Sequence, residues 1–194
     1  MKRVLPLLAF LILLAGCSAV PPQSVTLAPQ AKVPTGNVGK GKTVALQVSD
    51  ARHGQPIGYR NADGSRTAAI TVEGGDLSKP VGEEVMKTLS NLGFKPVPWQ
   101  EGAPLSLSVT VRELAYTAQS LTVTRKVTVK CVLSARVVNG PGRWEGSYPV
   151  THEKEMALAP DENANARMLN DVLSESLSML LSDPEMVQYL GKDR

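Results

Sequence analysis

Apolar and polar positions alternate strictly over long stretches of this chain. Across residues 105–111, Leu105, Leu107, Val109 and Val111 point one way and Ser106, Ser108 and Thr110 the other, the period of a half-buried strand. Residues 121–138 repeat the pattern, with Leu121, Val123, Val127, Val129, Cys131, Leu133, Ala135 and Val137 inward. Residues 143–155 carry Trp144, Tyr148 and Val150 on one face, after a turn signal at Asn139-Gly140-Pro141-Gly142. Residues 42–49 and 67–72 read as two shorter strands flanking a polar, glycine-rich loop.

The period changes to that of a helix twice. Val81, Val85, Leu89 and Leu92 form one apolar stripe, with Glu83, Glu84 and Lys87 facing away. Ser78 is the expected N-cap, Pro80 sits in the first turn, and Gly93 ends the helix. The second helix runs over residues 161–182, with Asp161 as N-cap and Leu169, Val172, Leu173, Leu177 and Leu180 as its buried face. Asp183-Pro184 stops it and starts a short terminal helix. This order predicts an α+β fold, a largely antiparallel sheet with two main helices packed on one face.

Residues 1–17, MKRVLPLLAFLILLAGC, have a different character. Lys2 and Arg3 precede an apolar run from Val4 to Leu14, followed by Ala15 and Gly16. These are the parts of a secretory signal. The apolar run is too short, at fewer than about 20 residues, to be a spanning helix. Leu14-Ala15-Gly16-Cys17 resembles the bacterial lipoprotein box. The resemblance implies a diacylglyceryl thioether on Cys17, cleavage before it and acylation of the new amino terminus. Several acyl chains together make a stable anchor, where one holds only marginally. By analogy with enteric lipoproteins, Ser18 implies delivery to the outer membrane, facing the periplasm. Residues 18–41 carry Pro21, Pro22, Pro29 and Pro34, then Gly36, Gly39 and Gly41. They read as an extended tether. The domain organisation is therefore a removed signal at 1–16, an acylated cysteine and tether at 17–41, and one periplasmic domain at 42–194.

Charge adds an exclusion. Two of the 21 basic residues leave with the signal, which nearly balances the 18 acidic ones. No basic footprint for nucleic acid remains. With Cys17 acylated, Cys131 has no disulfide partner; it sits on an apolar face as an inert core thiol. The two histidines, His53 and His152, match no zinc spacing. No G-x-S-x-G elbow is present. Residues 36–43, GNVGKGKT, match the phosphate-loop pattern, but a proline-rich stretch precedes them and a strand follows, where that chemistry needs a helix. No cofactor and no metal is expected.

Two surfaces remain. Arg112, Lys126, Lys130 and Arg136 alternate outward among serines and threonines, a face suited to an anionic glycolipid or a peptidoglycan fragment. The loop after the first core strand gathers Asp50, Arg52 and His53, with Tyr59 and Arg60 further along. It is a second recognition surface and the remote basis for a hydrolase.

The lipobox, Asp50-Ala51-Arg52, Leu92-Gly93-Phe94 and the run from Asn170 to Leu177, NDVLSESL, together resemble the YajG family of bacterial outer-membrane lipoproteins. That resemblance implies a lipid-anchored periplasmic α+β domain without an established activity, and Cys17 as its acylated residue. The expected role is a non-enzymatic binding or adaptor module in envelope maintenance or assembly. Its partners would be the membrane, through Cys17, and an envelope protein or glycan.

Overall fold

The structure, a computed structural model, describes residues 20–193. Cys17 and the signal segment 1–16 lie outside the described residues. The elements in order are β1 (Gln23–Val25), β2 (Thr43–Asp50), β3 (Gly58–Tyr59), β4 (Ala69–Val72), α1 (Ser78–Asn91), β5 (Lys95–Pro98), β6 (Leu105–Ser120), β7 (Arg125–Asn139), β8 (Gly142–Met156), α2 (Glu162–Ser182) and α3 (Pro184–Gly191).

All of these strands belong to one sheet organised around β6. One edge of β6 pairs antiparallel with β7 along its whole length, and β7 pairs antiparallel with β8. Two groups share the other edge. β2 lies parallel against residues 106–111, with β5 parallel outside it. Further along, Gly58 of β3 pairs parallel with Tyr116, and β4 and β1 follow. The sheet forks where the first group ends. At that point β6 carries a bulge, since Val111 opposes Leu133 and Glu113 opposes Val132, leaving Arg112 unmatched.

The fold is α+β, as expected, but the sheet is mixed rather than largely antiparallel. Connection length explains the difference. The chain leaves β2, passes through α1 and returns as β5, and such a crossover joins parallel neighbours. The loop after β2 does not turn β4 back onto β2; it forms β3, which docks on β6.

β7 buries Val127, Val129, Cys131, Leu133, Ala135 and Val137 as the alternation demands. Leu121 and Val123 do not continue it, because β6 runs on to Ser120 and these two sit in an exposed turn. The bulge also switches the parity of β6, so that Leu114 and Tyr116 turn inward beyond Val111. The helices cover the inward face: α1 with Val81, Val85 and Leu89, α2 with Leu169, Leu173, Leu177 and Leu180, all fully buried. Asp161 caps α2 through the Ala164 amide at 2.7 Å, and Asp183 caps α3 through Glu185 at 2.8 Å. Ser78 is not a cap but the first residue of α1, and its amide donates to Asp76 at 2.8 Å.

The stretch read as a tether is extended but docked. Val25 and Leu27 are buried core residues, with Ala31 and Val33 packed against the core. The intervening amides of Ala28, Gln30 and Lys32 donate to Asn170 Oδ1, Ser174 Oγ and Ser178 Oγ at 2.8–2.9 Å. The match is geometric. Two extended residues rise about 6.6 Å and four helical residues about 6 Å, so every second amide meets every fourth side chain of α2. The Ala31 amide turns instead to Glu84 on α1 at 2.8 Å. Glu84 is therefore buried under this strap rather than facing away.

Leu27→Ala is expected to destabilise the domain by about 2–4 kcal/mol in urea unfolding. The same change in a free tether would leave the midpoint where it was.

Candidate functional site

The face of the sheet opposite the helices is uncovered and polar. Gln47 and Ser49 of β2, Ser108, Thr110 and Arg112 of β6, Ser134 and Arg136 of β7, and Glu145 and Ser147 of β8 line an open hollow of about 540 Å³. Alternation puts these side chains there, opposite neighbours that are buried or packed against the core, such as Val48, Val109, Leu133 and Tyr148. Arg112 keeps the outward phase of Ser108 and Thr110, and the bulge that follows Val111 puts Glu113 on this face as well, where it meets Lys130.

Three of the four expected basic residues are charge-paired on this face. Arg136 Nε meets Glu145 Oε1 at 2.7 Å, Lys126 meets Glu153 at 2.7 Å and Lys130 meets Glu113 at 2.8 Å. The surface is thus a ladder of opposite charges rather than a basic patch. Arg112 differs. It donates to Ser134 Oγ at 2.9 Å and, among the described residues, has no carboxylate within ion-pair distance. Its charge is the unneutralised one in the hollow. Ser49 Oγ donates to Thr110 Oγ1 at 3.1 Å on the same floor.

The Asp50–His53 loop lies on the other side of the sheet. Asp50 accepts from Arg52 Nη2 at 2.5 Å, Arg52 Nε at 2.8 Å and the Leu77 amide at 3.0 Å. Arg52 Nη2 also donates to the Gly75 carbonyl at 3.1 Å, while Gln55 bridges that carbonyl and the Val72 amide. The pair is nearly buried, with 6% of the Arg52 side chain and 11% of Asp50 exposed. It ties the end of β2 to the entry of α1. Burial works against the charged Asp50 carboxyl, but the hydrogen bonds from Arg52 and Leu77 outweigh it and hold its pKa below the usual range. His53 stays exposed and joins no such network. Asp50 and Arg52 are spent on structure, and His53 has no acid–base partner among the described residues.

Other candidates are spent too. The phosphate-loop look-alike wraps the C-terminal end of α1. The amides of Gly36, Gly39 and Gly41 donate to the carbonyls of Asn91, Leu92 and Gly93 at 2.8–3.1 Å. A Cβ on Gly39 would fall 2.4 Å from the Phe94 nitrogen, so only glycine fits. The loop faces the negative end of a helix dipole, where phosphate is repelled. Lys42 reaches the Gly191 carbonyl at 2.5 Å and Asp193 at 2.7 Å.

Cys131 is fully buried, and burial pushes its thiol up to about 12. His152 pairs with Glu175 at 2.7 Å beside a hollow of about 600 Å³ under the strap. There Asn170, Ser174 and Ser178 already hold the strap amides. Among the described residues no group of His, Cys, Asp or Glu is placed to hold a metal ion, and no helix is long and apolar enough to cross a membrane.

Sequence reasoning found the four cations but missed their acidic partners, because pairing between strands sets which outward residues meet. It also missed the strap, although Val25, Leu27, Pro29, Ala31 and Val33 repeat with a period of two.

A family of proteins described as "Uncharacterized lipoprotein" matches residues 29–191. Among solved structures, a protein of Xanthomonas campestris is 16% identical, with 86% of this chain and 95% of that one covered at a TM-score of 0.50. A second, uncharacterized protein is 11% identical, with 84% and 98% covered, also at 0.50. At these identities the likeness speaks for the fold alone. A lipoprotein of Neisseria meningitidis, 13% identical with 72% and 97% covered, reaches only 0.37 and bears on no argument. No curated protein matches the chain.

Asp50→Asn should cost about 3 kcal/mol at pH 7, since it leaves a nearly buried Arg52 uncompensated. Asp50 has a lowered folded pKa, so its contribution is present above the unfolded value of about 3.9 and is lost as pH falls through the folded one. Urea titrations should therefore show the gap between the two proteins narrowing below about pH 4; a gap that stays constant into acid would contradict the bracket.

Proposed function

The chain belongs to the YajG family of uncharacterized lipoproteins, and on that premise we propose that it is a non-enzymatic, lipid-anchored binding module of the cell envelope. In this reading Cys17 carries the acyl groups. Ser18 directs the protein to the outer membrane, facing the periplasm. The family match over residues 29–191 and the lipobox at Leu14–Cys17 support the anchor.

The single observation that carries the binding role is the open sheet face with Arg112 at its bulge end. Helices seal the opposite face, while this one offers hydroxyls, amide groups and one unneutralised guanidinium across about 540 Å³. Arg presents planar donors suited to a carboxylate or phosphate oxygen. The partner is an envelope protein that places a carboxylate there, with the module serving as an adaptor in envelope assembly or maintenance. An anionic glycan or glycolipid fragment is the second reading, favoured by the serine and threonine floor. A hydrolytic role for the Asp50–His53 loop is not supported, because Asp50 and Arg52 are bound to each other and to α1.

Two experiments test the proposal. Cys17→Ala should abolish metabolic acyl labelling and release the protein from the membrane fraction; retention of both would refute the anchor. A photo-crosslinking residue at Ser134 in the full-length lipoprotein should give a discrete protein adduct in intact cells, and Arg112→Glu should reduce it several-fold. Adducts to glycan or lipid alone would support the second reading. The absence of any Arg112-dependent adduct would remove the face from consideration.

A further inference from the structure

The strap changes where an anchored Cys17 has to be. Arg60 is buried and holds the start of the described chain, donating to the Pro21 carbonyl at 2.7 Å and to the Pro160 carbonyl, just before α2, at 2.9 Å. Arg125, at the start of β7, donates to the Arg60 carbonyl at 3.3 Å. Pro21 is thus fixed at one end of the sheet, the end where β6 finishes, β7 begins and β8 finishes. Cys17 lies four residues earlier. Four residues span at most about 14 Å even fully extended. A membrane entered by the acyl chains of Cys17 must pass close to this end.

That same end carries unusual side chains. Val123 is 84% exposed and Leu158 80% exposed, the two highest values among the large exposed hydrophobics of the described residues, and Leu121 is 43% exposed. Leu121 and Val123 occupy the turn between β6 and β7, closed by the Leu121 amide on the Thr124 carbonyl at 2.8 Å. Leu158 follows Met156, which pairs across the ladder with Arg125. The three come from two separate loops and project from the same end. No sequence expectation accounts for them, since the alternation would have buried Leu121 and Val123.

Resting on the reading of Cys17 as the anchor, we propose that this end of the sheet is a membrane-contact surface, with Leu121, Val123 and Leu158 entering the interfacial zone of a phospholipid bilayer. The charges around them are mixed, Arg66, Arg125, Lys126 and Lys154 against Asp63, Glu153 and Glu155. Apolar insertion, rather than attraction to anionic headgroups, is therefore the driving contribution, and salt should affect it little. The apolar tips add to the acyl anchor and fix the attitude of the domain. β6, with 16 residues, is about 50 Å long at roughly 3.3 Å per residue. The far end of the sheet, near Leu105, Asn139 and Gly142, projects away from the bilayer.

The test uses the full acylated lipoprotein in vesicles of phosphatidylethanolamine and phosphatidylglycerol containing a spin-labelled phospholipid. Single cysteines at Val123→Cys, Leu158→Cys and, at the far end, Glu101→Cys carry a fluorophore. Cys17 is acylated and Cys131 buried, so the new thiol is the one that reacts. Quenching at 123 and 158 should be several times that at 101 and should persist in high salt. Equal or absent quenching at the three sites, in protein that still sediments with the vesicles, overturns the contact surface and leaves the anchor standing. Wild-type protein that sediments no more than Cys17→Ala overturns the anchor, and the contact surface with it.

Discussion

The backbone of β6 is the constraint on which the rest of the structure depends. β6 is paired along both edges, by β7 over its full length on one side and by β2 and β3 in succession on the other. An antiparallel hairpin and a parallel crossover therefore share one strand. The fork needs space between the two groups, and the bulge at Arg112 lies where β2 gives out. It bends the strand and reverses its facing pattern. Without that reversal Leu114 and Tyr116 would face solvent and the half of the core under β3 and β4 would have no floor. One unmatched residue thus serves both the packing of the inner face and the charge of the outer face.

Local signals were mostly legible where a residue acts through its own neighbours, the cap expected at Ser78 excepted. Asp161 caps the helix assigned to it, Asp183-Pro184 divides the last two helices, Gly93 ends α1, and Val127 to Val137 bury every second side chain. What failed depended on partners distant in the chain. Nothing in residues 43–50 says that their neighbours on both sides run parallel. The alternation through Leu121 and Val123 looks like strand because hydrophobic periodicity carries no marker for the strand's end. The prolines of the strap suggested a spacer, since they bar a helix, yet Pro29 keeps the inward phase of the period and is buried.

The candidate site follows the same division. The outward phase of Arg112 and Arg136 was readable from alternation. That Arg136 is neutralised by Glu145 while Arg112 is not was unreadable, because it depends on the register of β8 against β7 and on one bulge. The Asp50–Arg52 pair shows the reverse error. Its residue types suit recognition, but at the end of a parallel strand they hold the entrance of a helix, where the Leu77 amide would otherwise go unanswered.

The strap also bears on the order of assembly. The amides of Ala28, Gln30 and Lys32 find their acceptors 142, 144 and 146 positions later in the chain. A polypeptide made from its amino terminus presents these donors first and meets their partners almost last. Contacts of such long range form slowly, so the segment that is made first is among the last to find its place, since it can dock only once α2 has formed.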